Sequence, residues 1–158
     1  MKQIIATVIA VAVPAMAATA DETAPADVVN ADGIVEQSLT GVPGDPENGA
    51  VIMKTKSAGN CISCHEVTAL KDAQWHGNIG PVLDGAGDRW EEAQLRAILT
   101  DAKSVFPDSM MPSYYKVDGF TRPGDAFTGK APSGPLEPLL NAQQIEDVIA
   151  FLLTQKES

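Results

Sequence analysis

The sequence predicts an all-α fold, and three stretches carry that prediction. Apolar residues recur at helical spacing near the C-terminus, at Ile145, Val148, Ile149, Leu152 and Leu153. A second amphipathic run lies between Trp90 and Ala102, and a third begins at Asp45-Pro46-Glu47. Strand-like alternation is confined to a weak pattern at Val28, Ile34, Val35 and Leu39. With 158 residues the chain has room for one domain with a modest core.

Residues 1–20 read as a secretory signal: Lys2 in a short positive segment, an apolar run from Ile4 to Val13, then Pro14 and small residues. Cleavage is expected after Ala17 or Ala20, the second leaving Asp21 and Glu22 at the new terminus. The apolar run is shorter than the roughly 20 residues that span a bilayer, and no later segment is long or apolar enough. Export to the periplasm is therefore expected, with no membrane span. Residues 21–44, rich in Ala, Asp, Pro and Gly, are expected to form an extended arm, either disordered or laid against another surface.

The domain proper is expected over 45–158. Its first helix starts where Asp45 can cap and Pro46 suits the first helical position. Gly49 lies inside it at a cost of about 1 kcal/mol relative to Ala, which points to close approach of another element.

Cys61-Ile62-Ser63-Cys64-His65 follows, holding both cysteines of the chain and one of its two histidines. C-x-x-C-H is the spacing of covalent c-type haem attachment. Two thiols one helical turn apart reach the two vinyl groups on one porphyrin edge, and the adjacent imidazole is an iron ligand. A thioredoxin-like pair needs a strand before it, whereas residues 53–60 are polar and glycine-broken. A structural zinc site needs four ligands, and only His76 and carboxylates remain to complete one. A disulfide across two residues closes too small a loop to stabilise much. One covalently bound haem c is thus the expected cofactor, on Cys61 and Cys64, with His65 on the iron.

From Asn78 to Arg89 the glycines and Pro81 predict an irregular loop with no regular structure. A carbonyl near Pro81 is placed to accept the second ring N–H of His65, fixing its tautomer and raising its basicity. Trp90 to Ala102 is then expected as one helix, with Glu91 and Glu92 in its first turn and Leu95, Ile98, Leu99 and Ala102 on its inner face. Trp90 can reach a haem propionate or simply enter the core.

Phe106 to Pro112 offers the second axial ligand. Thioether sulfur there raises the reduction potential, and Met111 is favoured because Pro112 holds it extended on a stiff loop. Met110 and His76 are the alternatives, His76 being only eleven residues beyond His65. Residues 113–138 form a long polar Gly/Pro-rich loop, a candidate partner surface. The last helix opens on Asn141 with Gln144 completing a capping box. Phe151, beside its apolar stripe, is free to meet Gly49.

The formal net charge of −10, one unit more negative once Lys2 leaves, disfavours nucleic acid and anionic lipid and steers basic partners. Acidity serving solubility alone fits equally well.

Taken together, the first helix, the Cys61–His65 motif, Gly80-Pro81-x-Leu83-x-Gly85, Met111-Pro112 and the last helix resemble class I cytochrome c. That resemblance implies terminal helices crossing at a glycine and an aromatic, matched by Gly49 and Phe151. The run from Asp101 to Tyr115, with the insertion after it, is similar to the monohaem SoxX subunits of SoxAX cytochrome complexes. This implies a heterodimer with a SoxA-like cytochrome subunit that carries the chemistry of an L-cysteine S-thiosulfotransferase. It also implies transient contact with a sulfur-carrier protein, whose cysteine receives thiosulfate, and with a downstream electron acceptor. This chain would relay electrons; it has no further cysteine to hold sulfur. A freestanding shuttle between respiratory complexes is the alternative. A ligand sensor or peroxidase with an open sixth position is disfavoured by Met111.

Overall fold

The computed structural model describes residues 22–123 and 130–157, so the expected signal segment and residues 124–129 of the long loop lie outside the described residues. Five α-helices follow in chain order among them: α1 (Pro46–Lys54), α2 (Ala86–Arg89), α3 (Glu92–Thr100), α4 (Ala102–Val105) and α5 (Ala142–Thr154). No strand is formed among the described residues, in keeping with an all-α class; a single isolated bridge pairs Ala31 with Ile34.

α1 starts as its sequence dictates. Asp45 accepts hydrogen bonds from Glu47 N and Asn48 N, and Pro46 occupies the first turn, where its missing N–H costs nothing. α5 opens on the capping box, Asn141 Oδ1 accepting from Gln144 N at 2.8 Å and Gln144 Oε1 from Asn141 N at 3.0 Å. The two helices cross in close contact, and Gly49 is the reason they can. A Cβ built there would lie 2.1 Å from the Asp147 carbonyl oxygen and 2.9 Å from Phe151 Cβ. Gly49→Ala is therefore expected to destabilise by about 1–3 kcal/mol through overpacking, despite the better helix propensity of Ala. Thermal unfolding of the haem-loaded protein checks this. Asp147, itself buried, bolts the crossing down: Oδ1 accepts from Asp45 N at 2.8 Å and Oδ2 from Asn48 Nδ2 at 2.7 Å.

Three expectations need correction. The loop from Asn78 to Arg89 is not wholly irregular, because Ala86–Arg89 forms the one-turn α2, entered through Gly85 in the left-handed region (φ 73°). The helix expected over Trp90 to Ala102 begins only after Trp90, whose backbone is extended (φ −132°, ψ 138°). It stops at Thr100, Asp101 breaks the geometry, and Ala102–Val105 forms the separate turn α4. Finally, the long loop does not begin as surface. Tyr114 and Tyr115 are buried, Tyr114 N donates to Leu99 O at 3.0 Å, and Leu140 N returns to Tyr114 O at 3.1 Å. That last bond closes the excursion at its base.

The arm lies on the chain's own core. Val35 and Leu39 are 2% and 0% exposed, and Val35 N donates to Ala93 O in α3 at 3.0 Å. An ion pair that periodicity does not foretell fastens it. Buried Arg96 of α3 meets buried Glu146 of α5 in fork geometry, Nε to Oε1 at 2.9 Å and Nη2 to Oε2 at 2.9 Å. Arg96 Nη1 donates to Val35 O at 3.0 Å, Glu146 Oε1 accepts from Leu39 N at 2.7 Å, and Glu92 also pairs with Arg96. One pair of charges thus joins arm, α3 and α5.

Candidate haem site

Cys61–Ser63 forms a 3₁₀ turn entered through Asn60 in the left-handed region (φ 49°), and Cys64 continues it. Both thiols are free, with no disulfide between them. Burial pushes the Cys61 thiol up to about 11, the reverse of the lowered value that a redox-active dithiol requires. The burial of Cys61 thus runs against the dithiol reading.

His65 is held by the loop that follows. Its Nδ1 lies 2.7 Å from Pro81 O, and a carbonyl can only accept, so Nδ1–H is the donor. Nε2 is then left with its lone pair, the form an iron ligand must take. Gly80 makes this possible: a Cβ there would stand 2.3 Å from His65 Cε1. The loop itself is pinned along the motif by Gly77 N to Ile62 O (2.8 Å), Gly80 N to Cys64 O (2.9 Å) and Leu83 N to Glu66 O (3.0 Å). Arg89 clamps its far side, donating to Asp84 O at 2.7 Å and Val82 O at 2.9 Å.

The competing axial candidates separate by environment. Met110 is 78% exposed, whereas Met111 is half-buried and packs against the core. The Met111 backbone is held at both ends: its N–H donates to Ser109 Oγ at 3.1 Å, and its carbonyl accepts from Lys103 Nζ at 3.1 Å. His76 has no lone pair to give. Val67 N donates to its Nδ1 at 3.2 Å, so the contact of Nε2 with Leu70 O at 3.2 Å makes Nε2–H a donor. Trp90 meets Phe106 edge to face with centroids 6.0 Å apart, which fixes the start of the segment carrying Met111.

Sequence reasoning missed Tyr114, although it stands in the run already singled out around Met111. Its hydroxyl donates to Gly59 O at 2.7 Å, tying that segment to the residues just before Cys61. Asp101 completes the anchorage, accepting from Lys116 Nζ at 2.6 Å and Ser113 Oγ at 2.7 Å. Burial pushes the Asp101 carboxyl up, but these hydrogen bonds outweigh it and hold it below the usual 3.8. Hydrogen bonding from Thr68 lowers Asp84 likewise.

A carboxylate whose folded-state pKa is depressed contributes stability that is complete above the unfolded value and is lost as pH falls through the folded one. Stability should be flat with respect to these groups above about pH 5 and decline below about pH 4. Asp101→Asn should flatten part of that acid limb in urea titrations run at several pH values.

Two free cysteines at one-turn spacing, an imidazole presenting Nε2, a glycine that leaves room for the ring and a restrained half-buried thioether together fit a c-type haem. The chain has no match among curated proteins. The family model described as Cytochrome c matches residues 46–156. In the crystal structure of SoxXA from P. pantotrophus, one chain is 60% identical over 87% of this chain and 100% of that one, with a TM-score of 0.83. With the haem-attachment motif standing inside the matched residues, the chain belongs to the cytochrome c family and, within it, to the SoxX type, with a covalently bound haem c.

Proposed function

We propose that this chain is the monohaem electron-transfer subunit of a periplasmic SoxAX-type complex. The observation that carries the reading is the 60% identity to a chain of SoxXA across that chain's full length. The SoxA-like partner performs the chemistry. Joining thiosulfate to a carrier-protein thiol forms one sulfur–sulfur bond and releases one proton and two electrons. This chain takes those electrons singly and passes them to a downstream acceptor.

Haem c, when bound, supplies the one-electron iron couple. Cys61 and Cys64 would hold it covalently. His65 would ligate the iron through Nε2, its tautomer fixed by the Pro81 carbonyl at Nδ1. Met111 is the residue that would complete the ligand set, and its thioether would raise the potential so that the site accepts electrons. Trp90, packed on Phe106, is the residue whose indole N–H would be available to a propionate. The acidic surface of the chain attracts a basic acceptor. Among the described residues no helix is long and apolar enough to cross a membrane.

Co-expression with the SoxA-type subunit tests the reading. A stable one-to-one complex whose haem on this chain is reduced when thiosulfate and carrier protein are supplied is expected. Isolation of this chain as a clean monomer at low salt, in the presence of that subunit, would favour the freestanding shuttle instead.

A further inference from the structure

Ala73 to Leu83 is a run of eleven residues without one Asp, Glu, Lys or Arg, in a chain that has 32 of them. It also displays apolar surface. Trp75 is 88% exposed, Ile79 is 65% exposed, and Val82 is exposed as well. Trp75 has φ +70°, a left-handed conformation that is a genuine outlier for a bulky side chain and costs of the order of 1–3 kcal/mol.

The backbone on both sides over-determines that conformation. Ala73 N is bonded to Leu70 O, His76 is held through both ring nitrogens, and Gly77 N is bonded to Ile62 O. A strained, rigidly mounted tryptophan pointed at solvent is not explained by the packing of this chain. It lies beside the redox centre: a Cβ on Gly77 would be 2.1 Å from Ser63 O, and Gly80 N is bonded to Cys64 O.

We infer that Trp75, with Ile79 and Val82 around it, is the apolar anchor through which this chain docks the haem-bearing partner subunit of the complex proposed above. The inference rests on that reading and adds the surface to it. The chemistry of the patch selects the occupant. A second copy of this chain would bring another net charge of −10 against the first and be repelled. A transient basic acceptor is steered by acidic groups, which this run lacks. A stable subunit instead buries an uncharged core with a rigid aromatic at its centre, where tryptophan is the residue most enriched among hot spots. Docking beside Cys64 also places the partner next to the haem-attachment edge, where electrons must cross.

The test uses the full-length haem-loaded chain and the purified SoxA-type subunit, with affinity measured by titration. Trp75→Asn removes the indole with a residue that tolerates left-handed backbone. Val51→Asn, at an exposed position on α1, is the control. Trp75→Asn should weaken the complex at least about 10-fold, Ile79→Asn by less, and Val51→Asn by no more than about twofold. The haem spectrum and reduction potential of each free variant should be unchanged. Unaltered affinity in Trp75→Asn overturns the inference. So does a shifted haem spectrum, which would make the indole a haem-packing group, or a defect confined to electron delivery to the downstream acceptor. If the wild-type chain itself forms no complex, it is the functional reading that fails.

Discussion

Arg96→Met is expected to destabilise the haem-loaded protein by about 3–5 kcal/mol, a large part of the 5–15 kcal/mol that holds a typical domain. The side chain is buried, and its removal leaves Glu146 as an uncompensated charge in the core. The double variant Arg96→Met/Glu146→Leu should recover only part of the loss. It removes the orphan charge, but Leu39 N then loses its acceptor, which costs about 1–3 kcal/mol. Urea unfolding followed by circular dichroism distinguishes the two. Equal stability of wild type and Arg96→Met would show that the arm is not fastened by this pair.

Gly80→Ala should strike the haem site at the histidine of the attachment motif. The new Cβ would fall 2.3 Å from the His65 ring, so loop and imidazole must part. Lengthening the bond from Nδ1–H to Pro81 O lowers the basicity of the imidazole toward the iron. The reduction potential should rise, and stability should fall by about 1–3 kcal/mol from overpacking. A redox titration with thermal unfolding of the same sample reads both. An unchanged potential would mean that the Pro81 carbonyl does not tune His65.

The helices that end the domain were legible because their signals are local. Asp45-Pro46 and Asn141…Gln144 are start signals read within four residues, and the stripe on α5 has helical period. The meeting of Gly49 and Phe151 was legible as a pairing of a helical glycine with an aromatic beside the α5 stripe, and the resemblance added that the two helices cross there. The break at Asp101 escaped periodicity. Apolar residues keep helical spacing from Leu95 through Ala102, yet the chain bends where Asp101 turns to Lys116 and Ser113.

Which of the two states of the arm holds, disordered or laid on a surface, was not legible for a related reason. Its composition is that of a loose segment, but its few apolar residues are placed against α3 and α5 by a charge pair whose members look like ordinary surface residues. Glu146 sits next to the apolar stripe of α5, and nothing in one sequence announces that Arg96, fifty positions away, will neutralise it. Within the haem site, the attachment motif and the Pro81 contact follow from residue chemistry. Met111 was already favoured over Met110 and His76 by Pro112; the burial and hydrogen-bond partners that support the same choice are not carried by sequence spacing.

The central claim is that His65 and Met111 frame the haem of an electron-transfer subunit, and the sulfur-to-iron charge-transfer band of the oxidised protein tests it most directly. The band should be present in the native protein, persist in Met110→Ala and His76→Ala, and vanish in Met111→Ala, which should also bind carbon monoxide rapidly when reduced. A band that survives in Met111→Ala, or disappears in Met110→Ala, would contradict the ligand set.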